Sequence, residues 1–122
     1  GIDSPQRIMV TCTTLSDFIA HYSIEKVDLI KIDVEGAEAN VINGLRSYLN
    51  SNRKPTLLCE IVDSKDASTL RSIMSLVELG YKIYKVGRKG RLTEQSVTQF
   101  QESRTTTNYV FAVPEQIMHR NR

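Results

Sequence analysis

The chain has 122 residues, of which 40% are hydrophobic and 25% are charged, and its formal net charge is +2. This size suits one domain or part of one, with enough apolar residues for a packed core. The charge is too small to favour a nucleic-acid partner, and no apolar run approaches the roughly 20 residues of a membrane-spanning helix. We therefore expect neither nucleic acid nor membrane as a partner. The two cysteines match no paired motif, so a reducing compartment, and hence a cytoplasmic location, is the default expectation.

The first half of the chain alternates between predicted strands and helices. Residues 8–13 are β-prone and predict a short strand, and Thr14 or Ser16 then caps a short helix. Residues 27–34 form a nearly continuous apolar run, which is typical of a central parallel strand covered on both faces. The apolar stripe within residues 41–49 has helical spacing, so a helix follows that strand.

The second half continues the same alternation. Residues 56–62 predict another buried strand, and Asp63-Ser64 signals a helix that ends at Gly80. Strands are predicted at 81–86 and 108–113, joined by a long polar connection without a predicted helix. Two strand–helix–strand crossovers indicate an α/β fold with a parallel sheet, in which the last two strands can be antiparallel.

The densest group of polar residues follows the strand at 27–34. Asp33 and Glu35 come where a strand ends and a helix begins, which is where open α/β sheets bind ligands. Gly36 allows a sharp turn there, and Glu38 falls in the first helical turn, where the helix dipole favours a carboxylate. These carboxylates are interpreted either as helix-capping groups or as site residues.

Glu60 is the second candidate, because it lies inside an apolar strand. A buried carboxylate requires a partner or a raised pKa. Lys31 on the neighbouring strand is the expected partner, so the two residues are predicted to form a largely buried ion pair. A structural pair and a site role both remain open for Glu60.

A basic cluster of ten residues spans the predicted strand at 81–86 and the start of the connection after it. Its cations indicate either contact with an anionic substrate or nucleic acid, or a solvated strand edge guarded by charge; they are Lys82, Lys85, Arg88, Lys89 and Arg91. Tyr81 and Tyr84 are too few to form the aromatic platform used for single-stranded nucleic acid. Cys12 and Cys59 match no zinc or redox spacing, so no metal site is predicted.

Two stretches carry a resemblance to a known family. Residues 14–19 read Thr-Leu-Ser-Asp-Phe-Ile, and residues 27–38 read Val-Asp-Leu-Ile-Lys-Ile-Asp-Val-Glu-Gly-Ala-Glu. Together they closely resemble the FkbM family of methyltransferases, with Ser16 at a position where the family usually has Asp. The resemblance continues through residues 41–44 and the strand of Glu60.

The resemblance implies the Rossmann-like methyltransferase fold, with seven strands in the order 3-2-1-4-5-7-6 and strand 7 antiparallel. The predicted strands at 27–34, 56–62, 81–86 and 108–113 then correspond to strands 4, 5, 6 and 7. Residues 1–122 are expected to be the C-terminal part of one such domain.

The resemblance also implies transfer of a methyl group from S-adenosylmethionine to a hydroxyl of a small molecule or a glycan. Asp33 and Glu35 would orient the acceptor hydroxyl or take its proton, and Glu38 and Glu60 would bind substrate. The family's glycine-rich cofactor loop and its ribose-binding acidic residue do not occur in this sequence. No cofactor-binding residue is therefore assigned, and the 122 residues alone are not expected to bind the cofactor appreciably.

Two further expectations follow from the partial sheet. The chain is alternatively an inactive fragment or an interaction module that pairs through an exposed strand edge. In that case residues 27–34 supply the edge, and a homo-oligomer forms through it. Residues 8–13 are the segment that could fold back and shield this edge.

Overall fold

The protein is represented by a computed structural model, which describes residues 6–50 and 52–120. Strands and helices alternate along most of the chain, and a short 3-10 turn (Arg88–Gly90) lies near its basic segment. The helices are α1 (Leu15–His21), α2 (Glu38–Leu45), α3 (Ala67–Glu78), α4 (Val97–Gln101) and α5 (Pro114–Arg120). The strands are β1 (Leu29–Ile32), β2 (Thr56–Ile61), β3 (Lys82–Val86), β4 (Leu92–Gln95) and β5 (Thr107–Ala112).

The strands form one sheet in the order β1-β2-β5-β3-β4. β1 and β2 are parallel, whereas β5 is antiparallel to β2 on one side and to β3 on the other. β3 therefore runs in the same direction as β1 and β2. The predicted order 4-5-7-6 with an antiparallel last strand is confirmed, and the chain has a Rossmann-like α/β architecture with an open, partly parallel sheet.

Several sequence-based boundaries were wrong. Residues 8–13 form no strand, since Ile8, Met9 and Val10 are exposed and pair with nothing in the described part of the chain. β1 is shorter than predicted, and only Ile32 of it is buried, since the strand lies at the sheet edge as expected for a partial sheet. The segment 87–106 contains β4 and α4, and a further helix, α5, begins at Pro114 after the last strand. Local β propensity is insufficient where no neighbouring strand completes the pairing.

One face of the sheet carries the hydrophobic core and is called the covered face. Strand pairing and side-chain alternation place Ile32, Cys59 and Tyr109 in one row across it, with Leu57 and Phe111 in the next. These residues are buried in one cluster with side chains of α2, α3 and α4, namely Ile42, Leu45, Ile73, Leu76 and Phe100. Most of the apolar burial in this fold therefore lies on this side.

The opposite face, called the open face, is covered at one end only by the part of the chain that the structure describes. There, Gln116 of α5 accepts a hydrogen bond from Thr56 Oγ1 at 3.0 Å and donates one to the Lys54 carbonyl at 2.7 Å. Thr56 begins β2, so α5 lies at the end of the sheet where the parallel strands start. Lys31 and Asn108, farther along the same face, are exposed.

Side-chain caps begin three of the helices. Thr14 caps α1 as predicted, Asp66 caps α3, and Ser96 and Gln99 form a capping box at α4. Asp66 accepts hydrogen bonds from the backbone N–H and the hydroxyl of Thr69, which lower the pKa of its carboxyl. Within residues 6–50 and 52–120, no helix combines the length and the apolar character needed to cross a bilayer.

Candidate functional site

The turn between β1 and α2 has a constrained backbone. Glu35 and Gly36 both adopt positive φ angles, 45° and 101°, and such angles are uncommon for a residue with a side chain. Glu38 supports the turn, because its Oε1 accepts a hydrogen bond from the Gly36 N–H at 3.0 Å. The turn thus changes the direction of the chain sharply after Asp33 and projects two carboxylate residues where β1 ends.

A small cavity lies beside this turn, on the open face. It has a volume of about 140 Å³ and is lined by Lys31, Ile32, Asp33, Leu58, Glu60 and Asn108. The structure therefore brings together Asp33, Glu60 and Lys31, which the sequence singled out. Asn108 was missed, because only the antiparallel direction of β5 places the beginning of that strand beside the ends of β1 and β2.

The predicted buried ion pair between Lys31 and Glu60 is wrong. Lys31 is exposed and Glu60 is half-buried, and the ion pairs of the described residues do not include them. The strand register places Lys31 beside Leu58, so Glu60 lies two residues farther along β2. Since no helix of the described residues covers this part of the open face, each charge is hydrated and gains little from pairing.

The other two predicted site residues lie outside the cavity lining. Glu35 is exposed at the tip of the turn, whereas Glu38 is only 1% exposed and bonds to Gly36. A buried carboxylate in this position stabilises the turn through its hydrogen bond with the backbone. The substrate-binding role of Glu38 stays a prediction, and the geometry favours a positioning role.

Cys59 lies on the covered face, directly behind the cavity strands. Burial, followed by the negative charges of Glu38 and Glu60, raises the pKa of its thiol from 9.0 to about 12. The thiol therefore stays protonated at neutral pH and is a poor nucleophile. The contribution of Glu38 and Glu60 to this pKa indicates that both carboxylates lie close to the core.

A larger cavity, of about 560 Å³, lies at the opposite end of the sheet. It is bounded by α3, β3, β4 and the start of α4. Gln95 on its wall has a buried side-chain oxygen that finds no hydrogen-bond partner among residues 6–50 and 52–120. None of the carboxylate residues singled out from the sequence lines it. Size alone therefore does not locate the chemistry in this fold.

Comparison with protein families decides the assignment. Residues 2–83 match the methyltransferase FkbM domain. The chain belongs to the FkbM methyltransferase family. No curated protein and no solved structure matches it. The FkbM match includes Lys31, Asp33 and Glu60 of the cavity, whereas Asn108 and the segment from β4 onward lie beyond it.

An FkbM methyltransferase implies a methyl-donor cofactor, and the residues of the cavity do not make a site for one. The turn after β1 contains Gly36, whose backbone N–H could in principle bind a ligand. This N–H already donates a hydrogen bond to Glu38 and is not available to a cofactor. The remaining groups are carboxylates, an amine and an amide, which are suited to the hydroxyls of an acceptor. In the part of the chain that the structure describes, no group of three or more His, Cys, Asp or Glu residues could hold a metal ion.

Proposed function

We propose that this chain is the acceptor-side part of an enzyme that transfers a methyl group from S-adenosylmethionine to a hydroxyl of a small molecule or glycan. The observation that carries the proposal is the cavity where Asp33, Glu60, Lys31 and Asn108 meet beside the FkbM strand motif. The donor contributes the methyl group. The residues of this chain bind and orient the oxygen that receives it.

Asp33 is the central residue of this proposal. Asp33 directly follows β1, and its exposed carboxylate lies on the cavity wall, where it can accept a hydrogen bond from an acceptor hydroxyl or take its proton. The Lys31 ammonium on the same wall favours the negative charge that develops on that oxygen. Glu60 and Asn108 offer acceptors and a donor to neighbouring hydroxyls, and a fixed orientation is the main requirement of methyl transfer.

Glu35 has a supporting position. Its backbone is held at a positive φ one residue before Gly36, so its carboxylate projects from the tip of the turn. We propose that it approaches the acceptor from outside the cavity, while Asp33 acts from the wall. Removal of the Glu35 carboxylate should therefore reduce activity less than removal of the Asp33 carboxylate.

The test uses the full-length protein, methyl-labelled S-adenosylmethionine and a panel of hydroxylated small molecules and glycans. We expect label in an ether linkage on the acceptor. Asp33→Asn should lower the rate by about 100-fold or more, which is the usual contribution of a general base. Asp28→Asn is the matched control, because Asp28 is exposed, lies before β1 and pairs with Lys26 at 3.5 Å.

Two results would refute the proposal. One is label that appears only on nitrogen or carbon of every acceptor. The other is an unchanged rate for Asp33→Asn in a protein that transfers label to oxygen. A separate titration of the isolated 122 residues should show no appreciable binding of S-adenosylmethionine, and tight stoichiometric binding would show that these residues hold the cofactor themselves.

A second function, association through a strand edge, is favoured by the position of β1. β1 pairs only with β2 among the described residues, and its other edge is not covered by residues 8–13. We propose that two copies pair antiparallel through this edge. A register centred on Ile32 places each Lys31 opposite the other copy's Asp33, which is a favourable cross-strand pair.

Sedimentation of the isolated chain at micromolar concentration tests this association. Lys31→Asp and Asp33→Lys should each weaken the dimer, because each places like charges opposite one another. The double exchange should restore it. A monomer at all concentrations, or a dimer that is insensitive to both substitutions, would exclude this register.

A further inference from the structure

The charges at the carboxyl end of the sheet are segregated along it. This end is where the parallel strands β1, β2 and β3 finish and where β5 begins. On the side of β1 and β2 it is predominantly acidic, with Asp33, Glu35, Glu60, Asp63 and Asp66 against Lys31 and Lys65. The two sides differ in sign although the chain as a whole is nearly neutral.

On the side of β5 and β3 the same end is predominantly basic. Arg88, Lys89 and Arg91 form the exposed turn between β3 and β4, which is called the basic turn. Lys85 near the end of β3 adds to it, and Glu102 is the opposing charge in the loop before β5. Arg104 in the same loop follows Ser103, whose carbonyl accepts a hydrogen bond from Ser64 at 3.2 Å, so Arg104 lies between the acidic and the basic side. Strand order alone brings these residues, distant from β1 in sequence, to the same end of the sheet as Asp33.

These basic residues have no acidic partner within the described residues. The ion pairs found there are Lys26 with Asp28, before β1, and Lys82 with Glu94, at the start of β3. Both lie toward the opposite end of the sheet. Cations that lie in one exposed turn without forming ion pairs repel one another, and they suit a ligand that brings its own negative charge.

The two sides are close enough for one ligand to contact both. In the order β1-β2-β5-β3, three strand spacings separate β1 from β3, which corresponds to about 14 Å at the usual spacing between strands. A chain of about three sugar rings spans that distance. The hydroxyl end of such a ligand would lie in the cavity of Asp33 while its other end reaches the basic turn.

We propose that the basic turn, with Arg104, binds an oxyanion of the methyl acceptor, so that the acceptor is a hydroxylated molecule carrying carboxylate, phosphate or sulfate. This inference rests on the proposed methyl transfer and names its substrate class. Arg guanidinium groups bind oxyanions through paired hydrogen bonds, which fix orientation as well as charge. The acidic side would then repel the anionic end and favour one direction of binding.

Nucleic acid is the less favoured ligand for the same charges. Single-stranded nucleic acid binds where cations alternate with exposed aromatic rings. The aromatic residues nearest the basic turn in sequence, Tyr81 and Tyr84, are buried. A ligand held by charge and hydroxyl contacts therefore fits this end of the sheet better than one held by base stacking.

The experiment follows backbone amide shifts of the ¹⁵N-labelled chain during titration with trigalacturonate, with neutral maltotriose as the matched sugar. We expect trigalacturonate to shift the amides of residues 87–91 and 104–108, and maltotriose to leave them unchanged. Arg88→Glu/Arg91→Glu should weaken trigalacturonate binding at least tenfold. Arg46→Glu/Arg71→Glu is the control, because it reverses two exposed charges, one directly after α2 and one on α3, and changes the net charge equally.

Several outcomes would overturn the inference. Equal weakening by the two double substitutions would show a general charge effect, and equal binding of maltotriose would show that the oxyanion is not recognised. Tighter binding of a thymidine oligonucleotide to the same amides would indicate nucleic acid instead. No cofactor takes part in this titration, so absent methyl transfer would refute the proposed function while leaving the oxyanion site tested on its own.

Discussion

The two faces of the sheet use the same strands in different ways. Leu57, Cys59 and Ile61 of β2 point to the covered face and are buried beneath the helices, whereas Leu58 and Glu60 of the same strand point to the open face and are half-buried. One six-residue strand thus contributes to the core and to the candidate site. Substitutions of neighbouring residues should therefore separate stability from function.

The largest difference is expected between Leu57 and Leu58. Leu57→Ala removes a fully buried side chain beneath α2 and α3, which costs about 3 kcal/mol in the free energy of unfolding. Leu58→Ala should cost about 1 kcal/mol, because this side chain already contacts solvent at the cavity. Urea unfolding measures both, and equal losses would show that the open face is packed as tightly as the covered one.

Substitutions of Glu38 test whether this buried carboxylate stabilises the turn or contacts the substrate. Glu38→Ala leaves the Gly36 N–H without its partner and should cost about 1–3 kcal/mol. Glu38→Gln keeps an oxygen that can accept the same hydrogen bond, so it should cost clearly less. If Glu38 positions the turn, Glu38→Gln also keeps methyl-transfer activity. Lost activity in a stable Glu38→Gln protein would support the predicted contact with substrate instead.

Periodicity in the sequence predicted the regular parts of this fold. The apolar run of β2 and the helical stripes of α2 and α3 are strong signals, since burial of apolar side chains determines both pattern and structure. β4 has no such pattern: its residues Leu92 to Gln95 form a strand because β3 pairs with them. The capping box of Ser96 and Gln99 at the start of α4, and Pro114 at the start of α5, are local sequence signals of a helix start.

The candidate site was predictable only in part. The segment that contains Asp33 and Glu35 was identified because a strand end followed by a glycine turn is a local feature of the sequence. Asn108 and the basic turn join it through strand order and direction, which depend on pairing between distant segments. The Lys31–Glu60 pair was predicted from the apolar sequence around Glu60, but the exposure of that face depends on which helices cover the sheet.

The raised pKa of the Cys59 thiol makes the stability of the folded chain depend on pH. Its thiol pKa is about 12 in the folded chain and 9.0 without burial, so above pH 9 the unfolded state loses a proton that the folded state retains. Stability therefore falls as pH rises, by about 1 kcal/mol between pH 9 and 10. The raised pKa values of Tyr81 and Tyr84 act in the same direction, but their unfolded reference is 10.0 and their effect begins at higher pH.

Chemical unfolding at pH 8, 9 and 10 measures this slope. Cys59→Ala should flatten it between pH 9 and 10, although the variant is less stable at every pH. Cys12→Ser is the matched control, because Cys12 is exposed and its loss should leave the slope unchanged. An unaltered slope in Cys59→Ala would assign the pH dependence to other groups.

The smallest effect on stability is expected for substitution of Glu60, which was predicted from the sequence to form a buried ion pair but forms none in the described structure. A buried ion pair broken on one side costs about 3–5 kcal/mol. Here Glu60 is half-buried and Lys31 is exposed and unpaired with it among the described residues. Glu60→Gln should therefore change the free energy of unfolding by less than about 0.5 kcal/mol, as is usual for a partly hydrated charge.

A double-mutant cycle of Glu60→Gln with Lys31→Gln distinguishes a buried ion pair between the two residues from two hydrated charges that do not interact. If the residues do not interact, the losses of the single variants add, and the coupling energy is close to zero. A coupling of several kcal/mol would mean that the carboxyl end of the open face is covered in solution, by another part of the protein or by a second copy. In that case Glu60 would contribute to stability, and Asp33 would be the acidic residue of the cavity left to act on the acceptor.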